Sequence, residues 1–194
     1  MKKKRPKGRM SKDERHAQLL ETALEIVRDS GTDALTLGTL AEHAGVSKPV
    51  VYEHFGTRSG LLIALYKRID ARQVQMLLEA LAKTPKRLKD VAHVVAEAYM
   101  NCYLTVGPEW HAISAALKGD EQMESTQQEL VDGYVAIYRD ALAPFSNLSG
   151  EELWLRCVGI FGAGEAISRD MLKGRTSLQA AVTSLTAFIV GAVK

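Results

Sequence analysis

The stretch Ser47–Arg58, SKPVVYEHFGTR, gathers side chains able to hold a polyanion and read base edges. If it is helical, Val46, Val51 and Phe55 fall at an inward spacing, and Lys48, Pro49, Val50, Tyr52 and His54 lie outward. Lys48 can donate to guanine O6 or N7, while Pro49 and Val50 offer apolar contact to thymine methyls. Tyr52, His54 and Arg58 carry donors suited to phosphate, contacts that fix register and not sequence. Ser47 is placed to cap this helix and to leave its positive N-terminal end beside phosphate. The same types also fit a plainer role, with Tyr52 a half-buried aromatic and His54 a solvated residue. The surrounding elements decide between the two.

Ser11 and Glu14 form a plausible capping box, after which Ala17, Leu20, Leu24 and Val27 mark one face of a helix ending at Ser30-Gly31. A short helix follows from about Leu37 to Ala44, with Thr36 as N-cap and Leu37, Leu40, Ala41 and Ala44 as its apolar face. Gly45-Val46 is a tight turn, and the Ser47 helix ends near Phe55-Gly56, with Pro49 tolerated in its first turn. Three short helices with a tight turn between the last two make a helix-turn-helix unit. A longer helix from Arg58 to about Ala82 starts on this head and ends in the body, the natural mechanical link.

Ala44, Gly45, Val46, Ser47, Lys48, Val51, Tyr52, His54, Phe55, Thr57, Arg58 and Leu61 occupy the spacing A-G-V-S-[KR]-x-x-[LV]-Y-x-[HY]-F-x-[ST]-[KR]-x-x-L. In this the chain resembles the DNA-binding head of the TetR family of repressors over about Leu19–Leu65. The resemblance implies DNA contacts from Ser47, Lys48, Pro49, Val50, Tyr52, His54 and Arg58. It also implies a variable helical C-terminal domain with a ligand cavity and a dimer interface. Gly38 stands where some relatives place a base-reading Arg, so readout from that helix falls to Thr39, with Thr36 on phosphate.

The remainder reads as helix: about Lys86–Val106, a short Glu109–Leu117 after Gly107-Pro108, a long helix ending at Pro144, one from Ser149 to Lys173, and a last one from Ser177 to Val193. About nine helices and no convincing strand give an all-α fold. The expected organisation is a disordered basic arm at 1–10, a helix-turn-helix domain at 11–57, and a ligand-binding and dimerisation domain at 58–194. His93, Glu97 and Asn101 share a face that either lines a cavity or is solvated, and they form too small a set to hold a metal. Tyr99, Tyr103, Trp110, Tyr134, Tyr138 and Phe161 are candidates for a pocket wall or for core. Glu165 with Arg169 is a helix ion pair or a ligand-binding pair. Gly159, Gly162 and Gly164 cost helix stability that close approach of a neighbour would offset. That neighbour is another helix of the chain or a subunit partner, and Trp154, Val158, Gly162, Leu185, Phe188 and Ile189 are the expected dimer surface.

Composition narrows the class. The formal net charge is +2, yet residues 1–16 hold eight Lys or Arg against Asp13 and Glu14, a local +6 that leaves −4 elsewhere. A basic arm on an acidic body suits a polyanion at one end. Cys102 and Cys157 accompany no metal-ligand spacing and read as buried free thiols of a reducing cytoplasm. No apolar run approaches a membrane span, and the basic N-terminus lacks a signal peptide's apolar core. The expectation is a cytoplasmic, cofactor-free, homodimeric repressor binding a near-palindromic double-stranded operator and answering to a small-molecule effector. A small all-α enzyme using His93, Glu97 and His111 is the alternative, though no nucleophile–base–orienter spacing is present. A constitutive DNA-binding protein without a ligand is another.

Overall fold

The computed structural model describes residues 10–105 and 107–194, without the side chains of residues 103, 105 and 107–111. The expected basic arm, apart from Met10, lies outside the described residues. Among the described residues there are nine α-helices and no strand: α1 (Lys12–Ser30), α2 (Leu37–Ala44), α3 (Lys48–Phe55), α4 (Arg58–Lys83), α5 (Leu88–Thr105), α6 (Gly107–Ala116), α7 (Glu121–Leu142), α8 (Gly150–Leu172) and α9 (Leu178–Ala192). The fold is all-α, as the periodicity requires. It divides into two compact units, one running to Lys67 and taking in Pro108–Lys118, the other formed by Arg68–Gly107 and Gly119–Lys194.

In the first unit, α1 opens on the Ser11–Glu14 capping box. The two bonds from Ser11 hold the Glu14 carboxyl below its ordinary range. The buried face of α1 is Leu19, Leu20, Ala23, Ile26 and Val27. Ala17 is exposed and Leu24 only half-buried, because the buried stripe centres one residue away from the stripe expected. Helices α1 and α2 pack on each other, as do α2 and α3. Between α2 and α3, Gly45 takes φ 64° and ψ 36° and its amide bonds back to Ala41 and Glu42 carbonyls. An L-residue with a side chain adopts that left-handed geometry at a cost, which explains the glycine.

Leu61, Leu62 and Leu65 are buried at the start of α4. The entry into that helix is tight: a Cβ on Gly60 would lie 2.3 Å from the Phe55 carbonyl oxygen. Only a hydrogen fits there. The Gly107-Pro108 pair opens α6 instead of preceding it. The first turn of a helix leaves its amides unbonded, so the missing proline N–H is not a loss.

In the second unit, α5 packs on α9, α8 on α7 and α9, and α5 on both α7 and α8. Ala92, Val95, Ala96, Met100, Tyr138, Leu142, Cys157 and Ile160 belong to a continuous core. Its helices are started by side-chain caps from Asp120, from Ser149 with Glu152, and from Ser177.

The helical glycines Gly60 and Gly133 separate steric need from propensity. Gly60→Ala forces the Phe55 carbonyl to move and should destabilise the chain by about 1–3 kcal/mol. A Cβ on Gly133 meets nothing within 4 Å, so Gly133→Ala should be stabilising by up to about 1 kcal/mol. Thermal melts of the two variants against wild type should therefore move in opposite directions.

Candidate functional site

Helix α3 is short and turns two side chains inward, Val51 and Phe55, which are buried. That leaves Lys48, Pro49 and Tyr52 exposed and Val50 half-buried on the other side, with Tyr52 54% exposed. An aromatic left half in water on a helix that buries its other face is not serving the core. The arrangement is a row of one amine, two small apolar groups and a phenol on a rigid eight-residue helix. Hydrogen-bond donors and methyl-sized surfaces in such a row match the groups at the floor of a DNA major groove.

The cap of α3 differs from the expectation. Ser47 holds the cap position in extended conformation, but its hydroxyl makes no capping hydrogen bond. The turn is secured by backbone instead, the Val46 amide donating to the Ala41 carbonyl and the Val50 amide to the Ser47 carbonyl, 3.0 and 3.1 Å. At α2 the reverse holds. Thr36 Oγ1 accepts from the Thr39 amide at 3.0 Å, and Thr39 Oγ1 accepts from the Thr36 amide at 2.9 Å while donating to the Ala34 carbonyl at 2.8 Å. The Thr39 hydroxyl, expected to read a base, is thus engaged in building the helix start.

Arg58, expected to contact phosphate, bonds to backbone in the structure. Its Nε donates to the Leu35 carbonyl at 2.9 Å and its Nη2 to the Thr32 carbonyl at 2.6 Å, with Asp33 at 3.9 Å. The guanidinium ties the start of α4 to the segment that leads into α2. Sequence pattern alone did not separate the two roles, since an arginine just after such a helix suits both.

His54 sits in an aromatic cluster with His16 and Phe55, ring centroids 5.4 Å and 6.0 Å away. Beside it Lys12 and Glu53 pair at 3.4 Å, joining α1 to α3. Burial lowers the His54 pKa, and the charges of His16, Lys12 and Arg15 push the same way, against Glu53. Neutral His54 is therefore favoured in the free protein.

In the second unit the expected pocket residues separate into two groups. His93, Glu97 and Glu165 are exposed, and Glu165 pairs with Arg169 at 2.8 Å. The side chains of Tyr103 and Trp110 lie outside the described residues. The other aromatics come together: Phe161 meets Tyr99 edge-on at 5.4 Å and Tyr134 at 6.1 Å, and Tyr134 meets Tyr138 at 6.4 Å. Tyr99 lies against the backbone of Gly164, where an added Cβ would sit 3.1 Å from its ring. Tyr138, a candidate for wall or for core, is fully buried core.

One member of this cluster was missed. The Tyr134 hydroxyl donates to Asp70 Oδ1 at 3.2 Å. Burial raises the Asp70 pKa, partly offset by the bond from Tyr134. Burial and the Asp70 charge push the Cys102 thiol up to about 12. The signal was available: Asp70 is four residues after the buried Tyr66 and seven before the buried Leu77, so a carboxylate stands in an apolar stripe.

Of the expected dimer surface, Leu185 and Ile189 are packed in the chain's own core and Trp154 is half-buried against Arg139. Val158, Gly162 and Phe188 are exposed, alongside Leu155 at 63% exposure. The apolar breadth of α9 thus divides into a core face and an outer face. No Cβ on Gly159 or Gly162 would meet anything within 4 Å, in contrast to Gly164.

Residues 19–65 match the family model for bacterial regulatory proteins of the tetR family. Over that span the head is similar to those of the TetR family. The matched span takes in all of α2 and α3, with the last part of α1 and the first part of α4. Over 87 residues the chain is 39% identical to the HTH-type transcriptional activator FasR of Mycolicibacterium smegmatis, covering 42% of this chain and 40% of that protein. Similarity to the fatty acid metabolism regulator protein of Bacillus subtilis reaches further at lower identity, 23% over 154 residues, 78% of this chain and 73% of the relative. The fold as a whole is similar to the fatty acid degradation regulator FadR from Bacillus halodurans, with TM-score 0.66, 17% identity, and coverage of 100% of this chain and 99% of that one. The family-model match is confined to residues 19–65, while the likeness of fold covers the whole chain.

Two outcomes follow. Arg58→Ala removes a charged donor from two carbonyls and should lower head stability by about 1.5–3 kcal/mol, read as an earlier chemical or thermal unfolding transition. A lowered His54 pKa means the unfolded chain binds more protons than the folded one as pH falls below the ordinary histidine value near 6.5. Stability contributed by His54 is present above that pH and lost as pH drops towards its folded pKa. His54→Gln should flatten this part of the stability-versus-pH curve, and an unchanged curve would show that the histidine is not its source.

Proposed function

We propose that this chain is a cytoplasmic transcriptional regulator that binds a near-palindromic DNA operator as a homodimer and releases it when a small molecule occupies the body. The carrying observation is the outward row of α3, Lys48, Pro49 and Tyr52, presented on a helix whose other face is buried. The match of residues 19–65 to a family of regulatory proteins supports the same reading. It also favours a regulator over an enzyme.

In this reading Lys48 contacts a base, Pro49 and Val50 pack on thymine methyls, and Ser47, Thr36, Tyr52 and His54 meet phosphate. The free position of the Ser47 hydroxyl suits that role. Bound phosphate raises the His54 pKa, so operator affinity rises as pH falls through the histidine range. Dimerisation uses the outer face of α8 and α9, where Leu155, Val158 and Phe188 leave apolar area exposed. Two heads reading one face of a duplex stand about 34–36 Å apart or a multiple of it. The aromatic cluster around Tyr134 and Asp70 is the site for the effector, and the effector acts by favouring a head separation the operator does not fit. Its leverage is limited to its differential affinity for the two arrangements.

Selecting duplexes from a random pool tests DNA binding and half-site spacing together. An inverted repeat should emerge, and the absence of any consensus would overturn the reading. Lys48→Ala should cost about 1–3 kcal/mol on the selected duplex and relax one base position per half-site. Phe188→Glu leaves the core untouched, unlike a change at Ile189, so a folded monomer is the expected product. Sedimentation should show half the mass, and affinity for the full operator should fall to that for a half-site.

A further inference from the structure

Gly38 occupies the second position of α2 and has no backbone reason to be glycine. Its φ is not positive, unlike those of Gly31, Gly45 and Gly56. Nor is a methyl excluded, since a Cβ there would meet Thr36 Oγ1 at 3.6 Å, Lys48 Cε at 3.7 Å and Lys48 Nζ at 3.9 Å, all ordinary contacts. What those distances do show is that the end of the Lys48 side chain reaches back from α3 and lies over the first turn of α2. A side chain at Gly38 longer than a methyl would take the volume that the lysine amine now fills.

That location is mildly unfavourable for a cation. The first turn of α2 presents the positive end of a helix, and an ammonium beside it is repelled. An anionic or electronegative partner arriving at this point relieves the repulsion and draws the amine outward. Base acceptors or phosphate oxygens do both.

We infer that Gly38 and Lys48 form one specificity element, in which the empty position on α2 gives the Lys48 amine the space it needs to contact a base. The inference rests on the DNA-binding reading of the head and adds a residue to it. Gly38 touches no base and acts through Lys48, so it is a positioning residue.

The test compares consensus sequences selected from a random duplex pool by full-length wild type, Gly38→Ala, Gly38→Gln, Lys48→Ala, and the double variant that combines Gly38→Gln with Lys48→Ala. Each protein is first checked for helicity and melting. Gly38→Ala should keep the wild-type consensus with affinity within about twofold, because a methyl fits beside the lysine. Gly38→Gln should alter preference at the same base position that Lys48→Ala relaxes. The double variant should match Gly38→Gln alone at that position, as expected of two residues acting as one unit. Should Gly38→Gln unfold the head, Gly38→Ser, with one heavy atom beyond the Cβ, takes its place in the same comparison. Effects at different base positions, or independent multiplicative losses, would overturn the coupling and leave DNA binding intact. A wild type that selects no sequence would overturn the DNA reading itself, and this inference with it.

Discussion

An eight-residue helix has little stability of its own, because nucleating a helix costs more than so few hydrogen bonds return. The rotation of α3 about its axis is therefore set by what its inward side chains can bury. Val51 and Phe55 supply that anchor, one fully buried and the other nearly so. Once they are seated, the spacing of 3.6 residues per turn leaves no choice about where Lys48, Pro49 and Tyr52 point. Every other local device serves this seating. The left-handed Gly45 turn sets the angle at which α3 leaves α2, the Thr36–Thr39 pair fixes where α2 begins, and Arg58 fastens the segment before α2 to the helix after α3. The surface of the head is thus a by-product of a small apolar contact.

The second unit works under a different constraint. It keeps a carboxylate half-buried beside Tyr134, where desolvation disfavours its charge. Tyr134 gives Asp70 one donor, and its own hydroxyl is held well above the ordinary tyrosine range by burial and by that neighbouring charge. A core built for stability alone would fill this space with aliphatic side chains. The polar pair stands beside Phe161, which Tyr134 meets at 6.1 Å.

Helix count and type were legible from period, caps and glycines, and so was the head, whose turn and inward residues have characteristic spacing. Less legible was how a polar side chain divides its loyalties. Thr39 and Arg58 could each serve DNA or the fold, and only the positions of the Ala34, Leu35 and Thr32 carbonyls, set by a 3-10 turn at Thr32–Ala34, show that they bond to the backbone. In α9, Leu185 and Phe188 are both apolar and three residues apart, yet one is core and the other exposed. Sequence spacing told that α9 has two apolar faces but not which one α5 and α8 would cover. Asp70 escaped notice because one acid in a charged helix looks like a solvated residue until its partner across the bundle is known.

The two cysteines carry a practical consequence. Cys157 is wholly buried with its thiol pushed up to about 11, and Cys102 is half-buried with its thiol pushed up to about 12. Thiolate is the reactive form, so at neutral pH both side chains are almost inert to alkylation and to peroxide. A cysteine introduced on an exposed turn would react far ahead of them. The native chain can therefore take a single spin label or fluorophore on the head without first being stripped of its own thiols.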